Sequence, residues 1–465
     1  MIAGSSHETN RLTRPDFDGR ELLIDLYDAA IAGAAPGPVT AAALRDFHAR
    51  PGQRLWLYAL GKAAHSMAAA AVTSLQRSLH TIAGGVIVAP DAAPAPYTTI
   101  TALKGDHPLP GRHSFTAADR IGEAAAGMRS DDVAIVLLSG GASSLIAAPL
   151  RGMAESDLGQ LFELLLGSGL DIRAMNAIRK RFTRWGAGRL ALALAPARTY
   201  AFVMSDVLGD DPADVGSGPC TPDPNTVKDV VALLTKSGVL ARISPAMRDY
   251  LTSVSRGVIP ESPKQTHPAF AHVTTRIIGS NRLALDAVAE RAAELSIDAE
   301  HVDAPLQGDA ARCGAAVATA LLERAAAGRP GCIVWGGETT VQLTSPSAAS
   351  GGRGAATDLP ASVPPSGGRC QELALAAAKV LAQGGDVAQR ITILAAGTDG
   401  RDGPTDSAGA VVDGATWSAI RSGGRDPELA LHRHDSHAAL ASVGALIPRR
   451  NTGTNVMDVV IGVIA

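Results

Sequence analysis

Ser139-Gly140-Gly141-Ala142-Ser143-Ser144 follows the apolar run VAIVLL and precedes a second apolar stretch, so it reads as a strand-to-helix turn with little side-chain bulk. Backbone N–H groups in such a turn can approach an anion closely, and the serine hydroxyls add donors. Gly61-Lys62-Ala63-Ala64 repeats the pattern after LWLYAL, with a lysine immediately beyond the strand. A lysine there can neutralise phosphate charge as a compact, mobile cation. The turn is not a Walker A sequence, which needs two glycines before a Lys-Ser/Thr pair. Gly-x-Gly-x-x-Gly is absent from it as well, which weakens a dehydrogenase reading.

Two acidic turns offer carboxylates. Asp206, Asp210 and Asp211 follow the run YAFVMS, and Asp399, Asp402 and Asp406 follow ITILAAGT. Magnesium takes a few hard oxygens plus phosphate oxygens and water, so Asp206, Asp399 and Asp402 are the candidate metal ligands, while Asp206 is equally a candidate for the base that accepts a hydroxyl proton. The second segment lacks the twelfth-position Glu of a calcium loop. Glu338 after CIVWGG, Asn281 after IIGS and Arg369 in Gly367-Gly368-Arg369 complete the polar strand-end set. An arginine can grip a carboxylate or phosphate with two parallel hydrogen bonds. The twelve histidines form no HExxH or two-His-plus-acid spacing, and His107, beside Pro108, reads as a turn former rather than a general base.

These residues sit on a βα rhythm. Short β-branched runs at 55–60, 85–90, 133–139, 200–207, 275–280, 332–338 and 391–400 each lead through a Gly or Ser turn into a longer Ala/Leu-rich stretch of helical periodicity. Several runs are apolar throughout, as strands covered on both faces are, which predicts an α/β fold of mostly parallel sheets flanked by helices. In open sheets of that kind ligands bind beyond the carboxyl ends of the strands. Residues 345–368, rich in Ser, Ala, Gly and Pro, read as a surface loop, and a domain boundary is expected between about Pro260 and Val273.

Composition narrows the class further. A chain of 465 residues exceeds what one core usually serves, and 46% hydrophobic with 19% charged residues is ordinary for a globular protein. Lys plus Arg, at 42, nearly balances Asp plus Glu, at 45, so no global field would draw in nucleic acid or an anionic membrane. The four cysteines are too dispersed for a paired metal motif and are expected as reduced, buried thiols. The polar start and the lack of any run of 18 apolar residues predict a cytoplasmic protein.

GKAAHSM (61–67), KGDHPLPGRHS (104–114), LLSGGASSLIAAP (137–149), MSDVLGDDPADVGSGPCTPDP (204–224), GSNRLALDA (279–287), WGGETTVQLT (335–344), GGRCQELALAAA (367–378) and AAGTDGRDGPTDSAGAVVD (395–413) resemble, in order, class II glycerate 2-kinases of the MOFRL family. The resemblance implies two Rossmann-like α/β domains with the active site in the cleft between them, and the boundary expected above divides them into residues 1–265 and 266–465. It also implies ATP and a divalent cation such as Mg2+ as cofactors, D-glycerate as the small-molecule partner and 2-phospho-D-glycerate as product. A homodimer stays open. The family ties Lys62 and Arg369 most closely to activity and makes Ser139 to Ser144 a phosphate or substrate cradle. Members are often labelled hydroxypyruvate reductase, which reads as a naming inheritance, and an NAD(P)H-dependent hydroxypyruvate reductase is the alternative activity. The family usually reads GGRNQE, whereas here Cys370 follows the arginine, and Trp185-Gly186-Ala187-Gly188 stands where a KGG-type turn is typical.

Overall fold

A computed structural model describes Leu12 and residues 18–50, 52–341 and 366–465 of the chain. These fall into two compact units, one of residues 35–280 and one joining the segment up to Ala34 to residues 281–465. The boundary thus lies at Ser280/Asn281 rather than at 265/266, because the strand Val273–Gly279 pairs along Arg198–Met204 and completes the first sheet. The N-terminal helix Gly19–Gly33 departs more widely from the expected division. Its Tyr27 hydroxyl donates to the Gly397 carbonyl at 2.6 Å, placing it with the distant C-terminal residues.

The unit of residues 35–280 is built on β1 (Leu55–Leu60), β2 (Ile82–Ala89), β3 (Ile100–Lys104), β4 (Val133–Leu138), β5 (Arg198–Met204) and β6 (Val273–Gly279). All neighbours pair in parallel, in the order β3-β2-β1-β4-β5-β6. Every residue of β4 is buried, as its unbroken apolar run requires when helices cover both faces. One face packs on the helices Arg112–Ala126 and Arg189–Leu194 through Val86, Val136, Ile121 and Leu190. A satellite core of Leu158, Phe162, Phe182, Val230 and Met247 joins four further helices. The strand order reverses direction between β1 and β4, the position beyond whose carboxyl ends open α/β sheets bind ligands.

The second unit carries β7 (Ala299–His301), β8 (Leu306–Asp309), β9 (Gly331–Thr340), β10 (Ile391–Gly397), β11 (Ser407–Asp413), β12 (Leu446–Pro448) and β13 (Asp458–Ile464). The α/β class holds, but this sheet is mixed rather than mostly parallel. β10 runs antiparallel to β11 and β13, β13 to β9 and β11 to β12, and only β7 and β8 pair with β9 in parallel. The connection from β10 to β11, residues 398–406, is shorter than the dozen or so residues a parallel crossover needs, so the chain reverses. The helices Ala310–Ala326 and Arg369–Leu381 pack together over one face, burying Leu321, Leu373 and Ala377 against Ile393 and Val460.

Most of the Ser345–Gly368 segment, including the second Gly351-Gly352-Arg353, lies outside the described residues. No helix among the described residues is long and apolar enough to cross a membrane. All four cysteines are free, with Cys220, Cys332 and Cys370 buried and Cys313 partly exposed.

Candidate active site

The turns after β1 and β4 are joined by main chain. The Lys62 N–H donates to the Gly140 carbonyl at 2.9 Å, and the Ala63 N–H donates to Ser139 Oγ at 3.1 Å. Both bonds lie at the point where strand order reverses, so backbone geometry delivers the lysine to that switch point. Beyond Ser139 the chain enters the four-residue helix Ala142–Leu145 through Gly141, whose φ of 82° favours glycine. A Cβ there would lie 3.1 Å from Lys62 Cγ and 3.2 Å from His107 Cδ2, so the lysine stem and the imidazole flank the turn.

Not all of the expected cradle is available to a ligand through its side chains. Ser139 Oγ is taken by Ala63, and Ser144 Oγ donates to the Gly141 carbonyl at 3.2 Å, so these two buried hydroxyls hold the turn in shape. Ser143, partly exposed, shares a 2.7 Å hydrogen bond with Ser217. By contrast, the N–H groups of Gly140, Gly141, Ala142 and Ser143 donate to no acceptor among the described residues. They are the groups with capacity to receive an anion.

Asp206, two residues beyond β5, leans over the same turn. A Cβ on Gly140 would fall 1.7 Å from Asp206 Oδ2, so only glycine admits the carboxylate. Burial pushes the Asp206 carboxyl above its ordinary range, against the pull of the Lys62 charge. A carboxylate shifted upward is more basic than an ordinary one, which suits it to accept a hydroxyl proton. The loop that follows is pinned by the helix Ile172–Phe182. Arg173 Nη2 donates to the Leu208 carbonyl at 2.8 Å, and Lys180 Nζ reaches the Ala213 carbonyl at 3.4 Å and Asp223 Oδ1 at 3.6 Å.

His107, which from sequence reads as a turn former, stands beside the same turn. It follows β3, a strand absent from the expected set, and so did not register as a strand-tip residue. Its loop is braced on both sides. The Gly105 N–H donates to the Ala89 carbonyl at 2.8 Å, while Asp106 accepts from the His113 N–H at 2.9 Å. His107 is exposed as a residue, yet the part of its ring packed against the turn is desolvated, and this, with the Lys62 charge second, lowers it to about 4, so it is neutral at physiological pH.

In the other unit Arg369 opens the helix Arg369–Leu381. Its Nε and Nη2 donate to Asp458 Oδ2 and Oδ1 at 2.5 and 2.8 Å, and Nη1 pairs with Glu338 Oε1 at 2.9 Å. Burial opposes its charge, but the Asp458 pair outweighs that and raises its pKa. A guanidinium has five N–H donors, so these three contacts leave capacity for an acidic ligand. Asp458, the strand-start residue that sequence reading missed, is itself buried. Asn281 Nδ2 secures the segment by donating to the Val456 and Asp458 carbonyls at 2.8 and 2.9 Å.

Four of the expected ligands have partners within the protein. Asn281 is buried and committed to main chain, and Glu338 lies within β9, not beyond it, where it pairs with Arg369. Asp402 is buried and caps the helix that Arg369 opens, accepting from the Cys370 and Gln371 N–H groups at 3.0 and 2.8 Å. Gly368 in the cap position has no side chain to do this, so a carboxylate from the β10–β11 turn supplies it. Asp399 accepts from the Arg401 N–H at 3.0 Å within its own turn. Among the described residues no group of three or more His, Cys, Asp or Glu is placed to hold a metal. The Gln371 amide braces Asp402 and Thr405, and Glu372 pairs with His434, so the residues after the arginine are scaffold. Cys370 fits that scaffold, since burial raises its thiol well above the ordinary value and leaves it unreactive.

The chain matches known proteins along nearly its whole length. Residues 22–252 match a domain described as of unknown function, DUF4147, and residues 331–458 match the MOFRL family. A D-glycerate 2-kinase of Thermotoga maritima is 32% identical, covering 96% of this chain and 98% of its own. A protein of Agrobacterium vitis that bears a hydroxypyruvate reductase name is 31% identical over 97% of this chain and 95% of its own. The crystal structure of glycerate kinase from Thermotoga maritima superposes with a TM-score of 0.79 at 32% identity, covering 96% of this chain and 99% of that one. The chain belongs to the MOFRL family, among proteins that carry the name glycerate 2-kinase.

Proposed function

We propose that this protein transfers the γ-phosphate of ATP to the 2-hydroxyl of D-glycerate, giving 2-phospho-D-glycerate and ADP. The observation that carries the reading is the pairing of the β1 and β4 turns, which sets one lysine beside four uncommitted backbone N–H groups at the strand-order switch. Phosphoryl transfer asks little covalent work of a protein and much positioning and charge neutralisation, and this arrangement supplies both. Relatives named as glycerate 2-kinases support the substrate assignment.

In this reading Lys62 and the N–H groups of Gly140 to Ser143 receive the transferring phosphoryl group. The glycerate hydroxyl oxygen attacks γ-phosphorus, its proton passes to a base, and the bond from γ-phosphorus to the bridging oxygen breaks to release ADP. Arg369 grips the glycerate carboxylate or steadies the phosphoryl oxygens, held side-on by Asp458. Asp206 has two competing roles, acceptor of that proton or ligand of a divalent cation. Magnesium commonly takes one or two protein carboxylates and completes its shell with phosphate oxygens and water, so the single carboxylate beside Lys62 fits it, whereas buried Asp402 does not. The bound ion would neutralise phosphate charge. Burial pushes the thiols of Cys220 and Cys332 up to about 12, so both stay protonated and unreactive.

Two incubations test the proposal. Purified protein with D-glycerate, ATP and magnesium should form ADP only when glycerate is present. Oxidation of NADH with hydroxypyruvate, and no ADP, would instead establish the reductase that some relatives are named for.

A further inference from the structure

Lys62 and Asp206 are not the only polar side chains beside the glycine turn that follows β4. His107 projects from a loop braced at both ends, by Gly105 on Ala89 and by Asp106 on the start of the helix Arg112–Ala126. The brace is also steric, since a Cβ on Gly105 would lie 2.5 Å from the Leu145 carbonyl, pressing the loop onto the short helix that ends the glycine turn. Its imidazole then meets Gly141 on the side where Lys62 also packs. Neither ring nitrogen makes a hydrogen bond to a partner among the described residues, although the other histidines at braced positions, His113, His434 and His437, are paired with Asp106, Glu372 and Gln371. The residue is exposed, so its ring nitrogens are open to solvent and to a ligand that arrives beside Lys62, while the bracing of its loop sets where the ring stands.

We propose that His107 is a further substrate-contacting residue, whose ring N–H donates to an oxygen of the nucleotide's terminal phosphate beside Lys62. This rests on the kinase reading above. The chemical sense is that Lys62 supplies the positive charge and the neutral ring supplies direction. An uncharged donor fixes an oxygen without adding a second cation that would hold the product too tightly. Lys62 itself favours that division, because a second positive charge next to it is disfavoured.

The test uses the full-length chain, with calorimetric binding of the non-hydrolysable ATP analogue AMP-PNP in the presence of magnesium, alongside glycerate-dependent ADP formation. His107→Ala should bind the analogue about tenfold more weakly, the usual effect of losing one hydrogen bond to a charged group, and lower kcat while leaving KM for glycerate within about twofold. His107→Gln, whose amide N–H reaches near the ring Nε2 position, should recover most of the affinity, an outcome that a merely structural histidine would not give. Circular dichroism and thermal unfolding check that both variants fold. Analogue binding by His107→Ala within twofold of the parent protein overturns the assignment, as does failure of the parent to bind the analogue. If the parent binds the analogue but forms no ADP with glycerate, the kinase reading fails by itself, and the alanine and glutamine affinities still decide the role of His107.

Discussion

The backbone N–H of Lys62 donates to the Gly140 carbonyl at 2.9 Å, tying the tip of β1 to the tip of β4. That one bond joins the two turns singled out by their residue types and fixes the lysine's Cα against the glycine turn, while its long stem stays able to follow a phosphate. Lys62, the open N–H groups of the turn and Asp206 all belong to residues 35–280 and to three neighbouring strand tips.

Gly141→Ala tests the shape of that turn. The substitution forces a side chain into a left-handed conformation and brings its methyl within 3.1 Å of the Lys62 stem. Stability should fall by about 1–2 kcal/mol, read from denaturant unfolding, and activity should fall by a larger factor than stability explains because the lysine is displaced.

Asp206→Asn separates the two roles of this carboxylate. As a base, its loss lowers kcat by about 10²–10⁴-fold with the apparent magnesium affinity unchanged. As a cation ligand, its loss raises the magnesium concentration needed for half-maximal rate, and excess magnesium restores turnover. A magnesium titration of initial rates distinguishes the two.

Much of the frame was legible before any coordinates. β1 matches its expected run residue for residue and β4 ends one residue short of it, because unbroken apolar runs admit few other fates in a chain of this composition. The lysine, the serine-glycine turn and Asp206 were legible for the same reason, being polar groups directly beyond such runs. What escaped depended on long-range pairing. β11, with Ala and Gly in place of bulky residues, carries little strand signal, and the antiparallel order of the second sheet is set by connection length. Asp402 looked like a ligand because the helix it caps begins more than thirty positions earlier, and only the glycine before Arg369 hinted that a cap must come from elsewhere. Asp458 was signalled only as a lone acid preceding the apolar run VVIGVI.

Asp458→Ala should release Arg369 from its two-point grip. Because the arginine is partly exposed, water compensates some of the loss, and the expected cost is roughly 1–3 kcal/mol. The sharper readout is kinetic, since a loosened guanidinium should raise KM for glycerate more than it lowers kcat.

Acid sensitivity follows from Asp223, which faces Lys180 and Arg181, side chains 1% and 0% exposed. Burial works against its charge, but Lys180, the Ser262 hydroxyl and Arg181 together hold its carboxyl below the ordinary range. With the folded value below the unfolded one, its contribution is present above about pH 4 and is lost as pH falls through the folded value. Asp206, Asp402 and Glu372 are shifted upward and act with opposite sign, so the comparison must be between proteins. Asp223→Asn should be roughly 3–5 kcal/mol less stable at pH 7, with the gap to the parent closing below about pH 4 in denaturant unfolding. A gap that is independent of pH would remove Asp223 from this role.

Lys62→Ala, assayed for glycerate-dependent ADP formation beside the parent protein and checked for native circular dichroism, tests the central claim most directly. A folded variant whose turnover falls by a hundredfold or more is the predicted result, since one preorganised cation at a transferring phosphate contributes on the order of 10²–10³ in rate. A folded variant that phosphorylates glycerate at close to the parent rate would contradict the account.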